Sequence, residues 1–340
     1  MNKKGCNAKE FLPTIAVSLG DPAGVGPEVA ARALSLPEVF DKANWLVCGP
    51  EKPFKAALER IGSSLSYTVF SKLLPEGVVL GRLAVLDPQL PVPVAEVGKP
   101  DEHSGRWAAS AIESAVEFAL RGYAQAVVTC PISKSRLIAA GKEFPGHTEM
   151  IASLCGVKKP IMLLASGDLK VALLTRHLAL RNVFPHIKKK TILDFLVALD
   201  YHYRRWFDKS PRIAMLGLNP HCGEDGLFGT EEQTAIRPAI EAAQARKVNV
   251  EGPVPADTAF CEGIREEYDV IAATYHDQGL GPFKALAFDS GVNMTLGLPF
   301  IRTSPDHGTA FDIAPRYCAD SSSMVEAMKY AIQLSPKAAR

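Results

Sequence analysis

The stretch Val270-Ile271-Ala272-Ala273-Thr274-Tyr275-His276-Asp277-Gln278-Gly279 decides the fold class. Its first half is apolar without polar alternation, the pattern of a strand buried on both faces of a parallel sheet. It then stops abruptly in a polar loop that opens with histidine. The same grammar recurs at 15–19, 45–48, 127–129, 161–165, 171–175 and 213–218. Between these runs, 105–121, 191–199, 231–245 and 323–334 carry apolar residues at helical spacing. Strand and helix alternate, which predicts an α/β protein built on an open parallel sheet.

At 340 residues the chain exceeds the length at which one core usually stops growing, so two domains are expected. A hydrophobic share of 47% with 22% charged residues places it among packed globular proteins rather than disordered ones. The formal charge of +1 offers no global field for nucleic acid or anionic lipid, so an anionic partner must be held locally. No apolar run approaches the roughly 18 residues of a membrane span, and the start, residues 1–10, is polar. A cytoplasmic protein is expected, with no membrane or nucleic-acid partner. Seven scattered cysteines without a CxxC pair argue against disulfides or a thiolate zinc site and read as reduced, mostly buried residues. The four prolines in 88–100 mark a connection or an edge arm, and Lys188, Lys189 and Lys190 read as a solvated helix face.

Three of the eight histidines follow buried strand runs: His177 after 171–175, His221 after 213–218, and His276 after 270–274. In an open parallel sheet the carboxyl ends of the strands share one edge, so residues distant in sequence can converge there. Three imidazoles with an open fourth position suit zinc or a similar divalent ion. The alternative is that each is a strand-end histidine bonded to backbone. The loop around His221, residues 217–226, is dense in glycine, and Thr230 with Glu231 and Glu232 reads as a helix N-cap followed by acids. Asp277 either orients an imidazole or merely ends a strand.

Anion-binding groups recur nearby. His147 and Thr148 precede an apolar helical run, so Thr148 either caps that helix or presents its N-terminus to a phosphate or carboxylate. Lys284, Asn293 and Arg302 lie in a stretch otherwise poor in charge and either meet a buried anion or form surface salt bridges. Gly20, Gly24 and Gly26 join the first strand to a helix, but their spacing matches neither the dinucleotide fingerprint nor the phosphate loop.

Taken together, residues 18–28, 146–149, 175–182, 217–232, 253–258 and 275–314 resemble the 4-hydroxythreonine-4-phosphate dehydrogenase (PdxA) family. The resemblance implies two α/β lobes of the isocitrate and isopropylmalate dehydrogenase kind with the active site in the cleft between them, which accounts for the missing Rossmann fingerprint. Residues 1–130 plus 300–340 would form one lobe. Residues 131–299 would form the other, with the metal-ligand strands and the dimer contacts. It implies that His177, His221 and His276 hold one divalent ion (zinc, magnesium, cobalt or manganese), with ligands drawn from both subunits of a homodimer. His147, Thr148, Lys284, Asn293 and Arg302 would bind a small phosphorylated substrate, and Lys284 would either assist proton transfer or clamp the phosphate. The loop His307, Gly308, Thr309, Ala310 is similar to the relatives' adenine-binding loop and is assigned to NAD or NADP. The implied reaction oxidises the C3 hydroxyl of 4-phosphohydroxy-L-threonine and releases carbon dioxide, giving 3-amino-2-oxopropyl phosphate on the way to pyridoxal phosphate. A sister branch acting on 4-phosphoerythronate or 4-phosphothreonate is the nearest alternative. More remote are a phosphate acyltransferase and a non-catalytic phosphate-binding protein.

Overall fold

The computed structural model describes residues 12–71 and 81–338. The polar start at 1–10, with Cys6, lies outside the described residues. Twelve strands form one sheet: β1 (Thr14–Ser18), β2 (Asn44–Cys48), β3 (Thr68–Phe70), β4 (Leu83–Leu86), β5 (Ala126–Thr129), β6 (Ile161–Ser166), β7 (Leu169–Leu173), β8 (Ile213–Leu216), β9 (Val250–Val254), β10 (Val270–Ala273), β11 (Val292–Leu296) and β12 (Ile301–Pro305). Their order is β3-β4-β2-β1-β5-β12-β11-β6-β7-β10-β8-β9. The helices are α1 (Gly26–Leu34), α2 (Pro37–Phe40), α3 (Glu51–Arg60), α4 (Glu102–Leu120), α5 (Lys134–Ala139), α6 (His147–Leu154), α7 (Lys189–Phe207), α8 (Arg237–Gln244), α9 (His276–Ala287) and α10 (Ser322–Ala338). The seven apolar runs and the four periodic segments all become strands and helices, and residues 88–100 form the connection from β4 to α4.

The expectation of an all-parallel sheet is corrected at its centre. β11 pairs antiparallel with both β12 and β6, and β6 antiparallel with β7. The cause is connection length: two residues separate β6 from β7 and four separate β11 from β12. A parallel return needs a crossover of a dozen residues or more. As a result β7, β10, β8 and β9, parallel to one another, run opposite to β4, β2, β1, β5 and β12. The carboxyl ends of the two sets therefore point to opposite edges.

This reversal places the cleft. One face of the sheet is covered by a continuous core that includes residues of α1, α3, α7, α8 and α10. The other face carries two separate cores. In one, α4 and α6 pack on β5 and its neighbours; in the other, α9 packs on β6, β7 and β10. Close packing of α9 needs Gly279, since a Cβ there would meet Val171 Cγ1 at 2.8 Å. Between the two cores the middle strands keep polar residues on the open face: Asn293 and Thr295 of β11 and Arg302 of β12. Of the described cysteines only Cys48 and Cys130 are buried, so the expectation of mostly buried thiols holds for two of six. No helix of the described residues is long and apolar enough to cross a membrane.

Candidate active site

A cavity of about 580 Å³ lies over this polar strip. It is lined by His147, Thr148, Lys284, Asn293, Arg302, His177, His276, His307 and Gly308 among others. Nine of the residues singled out from sequence thus share one cleft, although it spans the sheet face rather than one strand-end edge. A smaller cavity of about 230 Å³ adjoins it, sharing Phe288, Asp306, His307 and Gly308 and adding Val25, Ala310 and Ile313.

Arg302 forms the floor. It is 2% exposed, and donates to Thr129 Oγ1 at 2.6 Å and to Thr295 Oγ1 at 3.2 Å, while its buried Nε has no partner. No carboxylate lies in hydrogen-bond contact, and desolvation pushes the guanidinium from its usual value down to about 10. A buried cation satisfied only by hydroxyls is costly to the fold and attracts an anion. The alternative of a surface salt bridge is thereby excluded for Arg302.

His147 and Thr148 open α6. Thr148 makes no capping bond, the N-cap position being Gly146, so the capping expectation fails and Thr148 is instead a buried residue of the cavity wall. Desolvation, with the charge of Arg302 adding to it, holds the His147 imidazole well below its ordinary pKa, and its Nε2 is buried without a partner. Beside it Glu149, to which the sequence assigned no role, pairs with Arg176 at 3.4 Å and leaves its second oxygen buried and unpartnered. Asn293 Oδ1 is a further orphan. These orphans ring one space, which is how a site for a polar ligand looks when its partners are the ligand's own groups. Lys284 keeps 40% of its side chain exposed and pairs with Asp306 at 3.3 Å.

His177 and His276 meet on the far wall, ring centroids 5.5 Å apart. Burial is the main cause that lowers the pKa of His177. Asp277 accepts or shares a proton with His276 Nδ1 at 2.7 Å, so it does contact an imidazole. His221 is not brought to them. It sits in the turn Pro220–Gly226, against Phe228 at 6.3 Å between ring centroids, and outside the cavity lining. Among the described residues no three His, Cys, Asp or Glu side chains could hold a metal ion. Within one chain the convergence expected of three histidines is therefore realised for two.

The turn that holds His221 is unusual. His221, Cys222, Gly223, Glu224 and Asp225 all have left-handed backbone, φ between 39° and 82°. Such conformation costs a non-glycine residue about 1–2 kcal/mol, and persists only where surroundings fix it. Thr230 does not cap the following helix; that segment begins as a π-turn, Glu232–Ile236, with no side-chain cap. In the assigned cofactor loop, His307, Gly308 and Ala310 line the cavities, whereas the Thr309 carbonyl turns inward to accept from Val25 N at 2.9 Å. Gly24 permits this contact, since a Cβ there would lie 2.8 Å from Thr309 O. Behind the same loop Asp21 is fully buried, accepting from Ala23 N at 3.0 Å and from Ser104 Oγ at 3.2 Å.

Comparison with known proteins identifies the family. A profile of the family described as "Pyridoxal phosphate biosynthetic protein PdxA" matches residues 41–331. A 4-hydroxythreonine-4-phosphate dehydrogenase of Beijerinckia indica is 41% identical, with 94% of each chain covered. The D-threonate 4-phosphate dehydrogenase of Salmonella typhimurium is 40% identical, covering 95% of this chain and 99% of its own. The crystal structure of 4-hydroxythreonine-4-phosphate dehydrogenase from Klebsiella pneumoniae superposes with a TM-score of 0.85 at 36% identity, covering 96% of this chain and 99% of that one. With a matching family model, fold and near full-length sequence, this chain belongs to the PdxA family of pyridoxal phosphate biosynthetic proteins.

Proposed function

We propose that the chain is an NAD(P)- and divalent-metal-dependent 4-hydroxythreonine-4-phosphate dehydrogenase. It oxidises C3 of 4-phosphohydroxy-L-threonine to a β-keto acid, which loses carbon dioxide to give 3-amino-2-oxopropyl phosphate. One observation carries the reading: a buried Arg302 guanidinium with a free Nε on the floor of a cleft in which His147 Nε2, Glu149 Oε2 and Asn293 Oδ1 also lack partners. A phosphate monoester supplies the missing acceptor and the missing charge. His147, Thr148 and Asn293 stand around it. The Asn293 amide, turned by half a rotation, offers its NH2 to the same anion.

His177 and His276 would supply two ligands to the ion, and His221 of a second copy of the chain a third, leaving one position open to substrate. Supporting this, the segments around the two separated histidines expose apolar side chains to water: Leu178, Leu180 and Phe184 near His177, Leu227 and Phe228 near His221. Such surface is normally covered by a partner, and a two-fold homodimer covers both patches at once. Those three histidines would hold the divalent ion, which when bound would supply Lewis-acid stabilisation of negative charge, and the nicotinamide would supply hydride acceptance. Lys284 stands on the cavity wall beside Asp306; as a neutral amine it would take the C3 hydroxyl proton, and as an ammonium it would clamp the phosphate. His307, Gly308 and Ala310 hold the adenosine end of the nucleotide in the smaller, largely apolar cavity. The lobe division at 1–130 plus 300–340 and 131–299 is supported by the sheet order, in which the two sets of strands meet at β12 and β11. A cytoplasmic location follows from the proposed pathway and substrate.

The Salmonella relative favours one rival substrate, D-threonate 4-phosphate, which differs at C2 and keeps the same phosphate. Nicotinamide reduction measured on the two substrates side by side decides. Turnover of 4-phosphohydroxy-L-threonine that EDTA abolishes supports the proposal; a strong preference for the threonate overturns the substrate.

A further inference from the structure

The three strand ends that bear the histidines lie side by side in the sheet, in the order β7, β10, β8, and one buried polar network stitches them together. Thr175, two residues before His177, donates its hydroxyl to the Thr274 carbonyl at 2.7 Å. Gln278, two residues after His276, uses both ends of its amide. Its Oε1 accepts from Thr274 N at 2.7 Å and Thr274 Oγ1 at 2.8 Å, and its Nε2 donates to the Gly217 carbonyl at 2.6 Å. From there Glu232 takes over: Oε1 accepts from Leu218 N at 2.8 Å and Asn219 N at 2.7 Å, and Oε2 from Asn219 Nδ2 at 2.9 Å. Glu231 accepts a further bond from Asn219 Nδ2 at 2.8 Å.

The surroundings make room for these groups. A Cβ on Gly217 would lie 3.3 Å from Glu232 Oε1, and one on Gly223 2.8 Å from Oε2. Thr175, Thr274, Gln278 and Glu232 are all buried. The π-turn at Glu232–Ile236 replaces an ordinary helical start beneath a loop whose backbone is left-handed from His221 to Asp225. Local propensity does not favour that loop, so its shape is imposed by what grips its root, and the grip is the Glu232 carboxylate.

We infer that Gln278 and Glu232 are positioning residues for the metal site: Gln278 ties the strand of His276 to the strand of His221, and Glu232 fixes the turn that presents His221. Neither touches substrate. The inference rests on the reading of the three histidines as metal ligands. Where His221 serves a second copy's site, Gln278 also links the histidine pair of one site to the ligand lent to the other.

The test is Co²⁺ titration of the purified full-length protein, followed by calorimetry and by the visible absorption of the bound ion. Gln278→Glu keeps the acceptor for Thr274 and sets a carboxylate oxygen against the Gly217 carbonyl in place of the donor; Glu232→Gln puts an NH2 where the Asn219 amide needs an acceptor. Each is expected to weaken Co²⁺ binding ten- to hundred-fold, the usual effect of losing an outer partner of a metal ligand, and to alter the absorption band. Inorganic phosphate, which reports on the Arg302 side of the cleft, should bind within about two-fold of wild type. Should one variant fail to fold, the other carries the same readout. Unchanged Co²⁺ affinity and spectrum in the folded variants overturn the inference, as does a parallel loss of phosphate binding, which marks general loosening. A wild-type protein that takes up no Co²⁺ defeats the ligand reading itself, and the inference with it.

Discussion

Replacing Arg302 by Met should leave the protein about as stable and make its cleft useless for anions. Depression of the guanidinium from its usual value to about 10 means that the fold carries a cost of about 3 kcal/mol in keeping the charge buried. The sign follows from the direction: a cation with a lowered folded pKa is a burden at every pH below about 10, and is relieved only above it. Met has similar length and no charge. It gives up the charge-assisted bonds to Thr129 and Thr295, worth about 1.5 kcal/mol each, so the two effects nearly cancel and the melting temperature should move by no more than about 2 °C. Against this, the variant loses a charge-assisted bond and the local positive charge, about 3 kcal/mol toward a phosphate, or a factor on the order of 100 in affinity. Thermal unfolding without ligands reads the first effect, calorimetric titration with inorganic phosphate the second. A variant destabilised by more than about 2 kcal/mol, or one that binds phosphate as well as wild type, refutes the reasoning. In either case the buried cation would not be a cost maintained for an anion.

Mixing His221→Ala with His276→Ala chains, each inactive alone, should restore about a quarter of wild-type turnover if sites are shared. Half the dimers are then mixed, and one of their two sites is intact; no recovery after subunit exchange counts against sharing. Asp21, buried mainly at the expense of its charged form, has its pKa raised from 3.8 to about 6. The native state therefore keeps a proton that the unfolded chain releases, and stability falls by about 3 kcal/mol as pH rises from about 4 through 6. Asp21→Asn can still accept from Ala23 and donate to Ser104, so urea titrations should show it more stable at pH 7.5 and lacking that part of the slope; an unchanged pH profile sinks the assignment. Asp277→Ala frees His276 Nδ1, and Co²⁺ affinity should fall about ten-fold with little change in melting temperature, a result that equal affinity would contradict.

Much of the site was legible because its residues stand where local pattern changes. A histidine after a run of Val, Ile and Ala is visible in one dimension, and so is an arginine in an apolar stretch. Gln278, Glu231 and Glu232 were equally visible but uninformative: an acid near a helix start reads as a dipole partner, and a glutamine in a polar loop reads as solvent-facing. Their roles depend on which backbone atoms tertiary folding brings within 3 Å. The same limit explains Thr148 and Thr230, for each of which the neighbours in sequence suggest a cap and neither of which makes a capping bond.

What the sequence determined by itself is the α/β alternation, the buried strands and helices, and the set of side chains at the strand ends, because burial on two faces and helical amphipathicity are written into nearest-neighbour composition. Tertiary structure alone decided that β6 and β11 reverse the sheet, that the cleft lies across its face, and that Arg302 is buried with no carboxylate among the described residues in hydrogen-bond contact. It also decided that His221 stands apart from His177 and His276. Strand direction is set by connection length together with pairing across the whole sheet, and the charge balance of a buried group by neighbours far away in the chain. Neither quantity is local, so neither can be read from the residues one at a time.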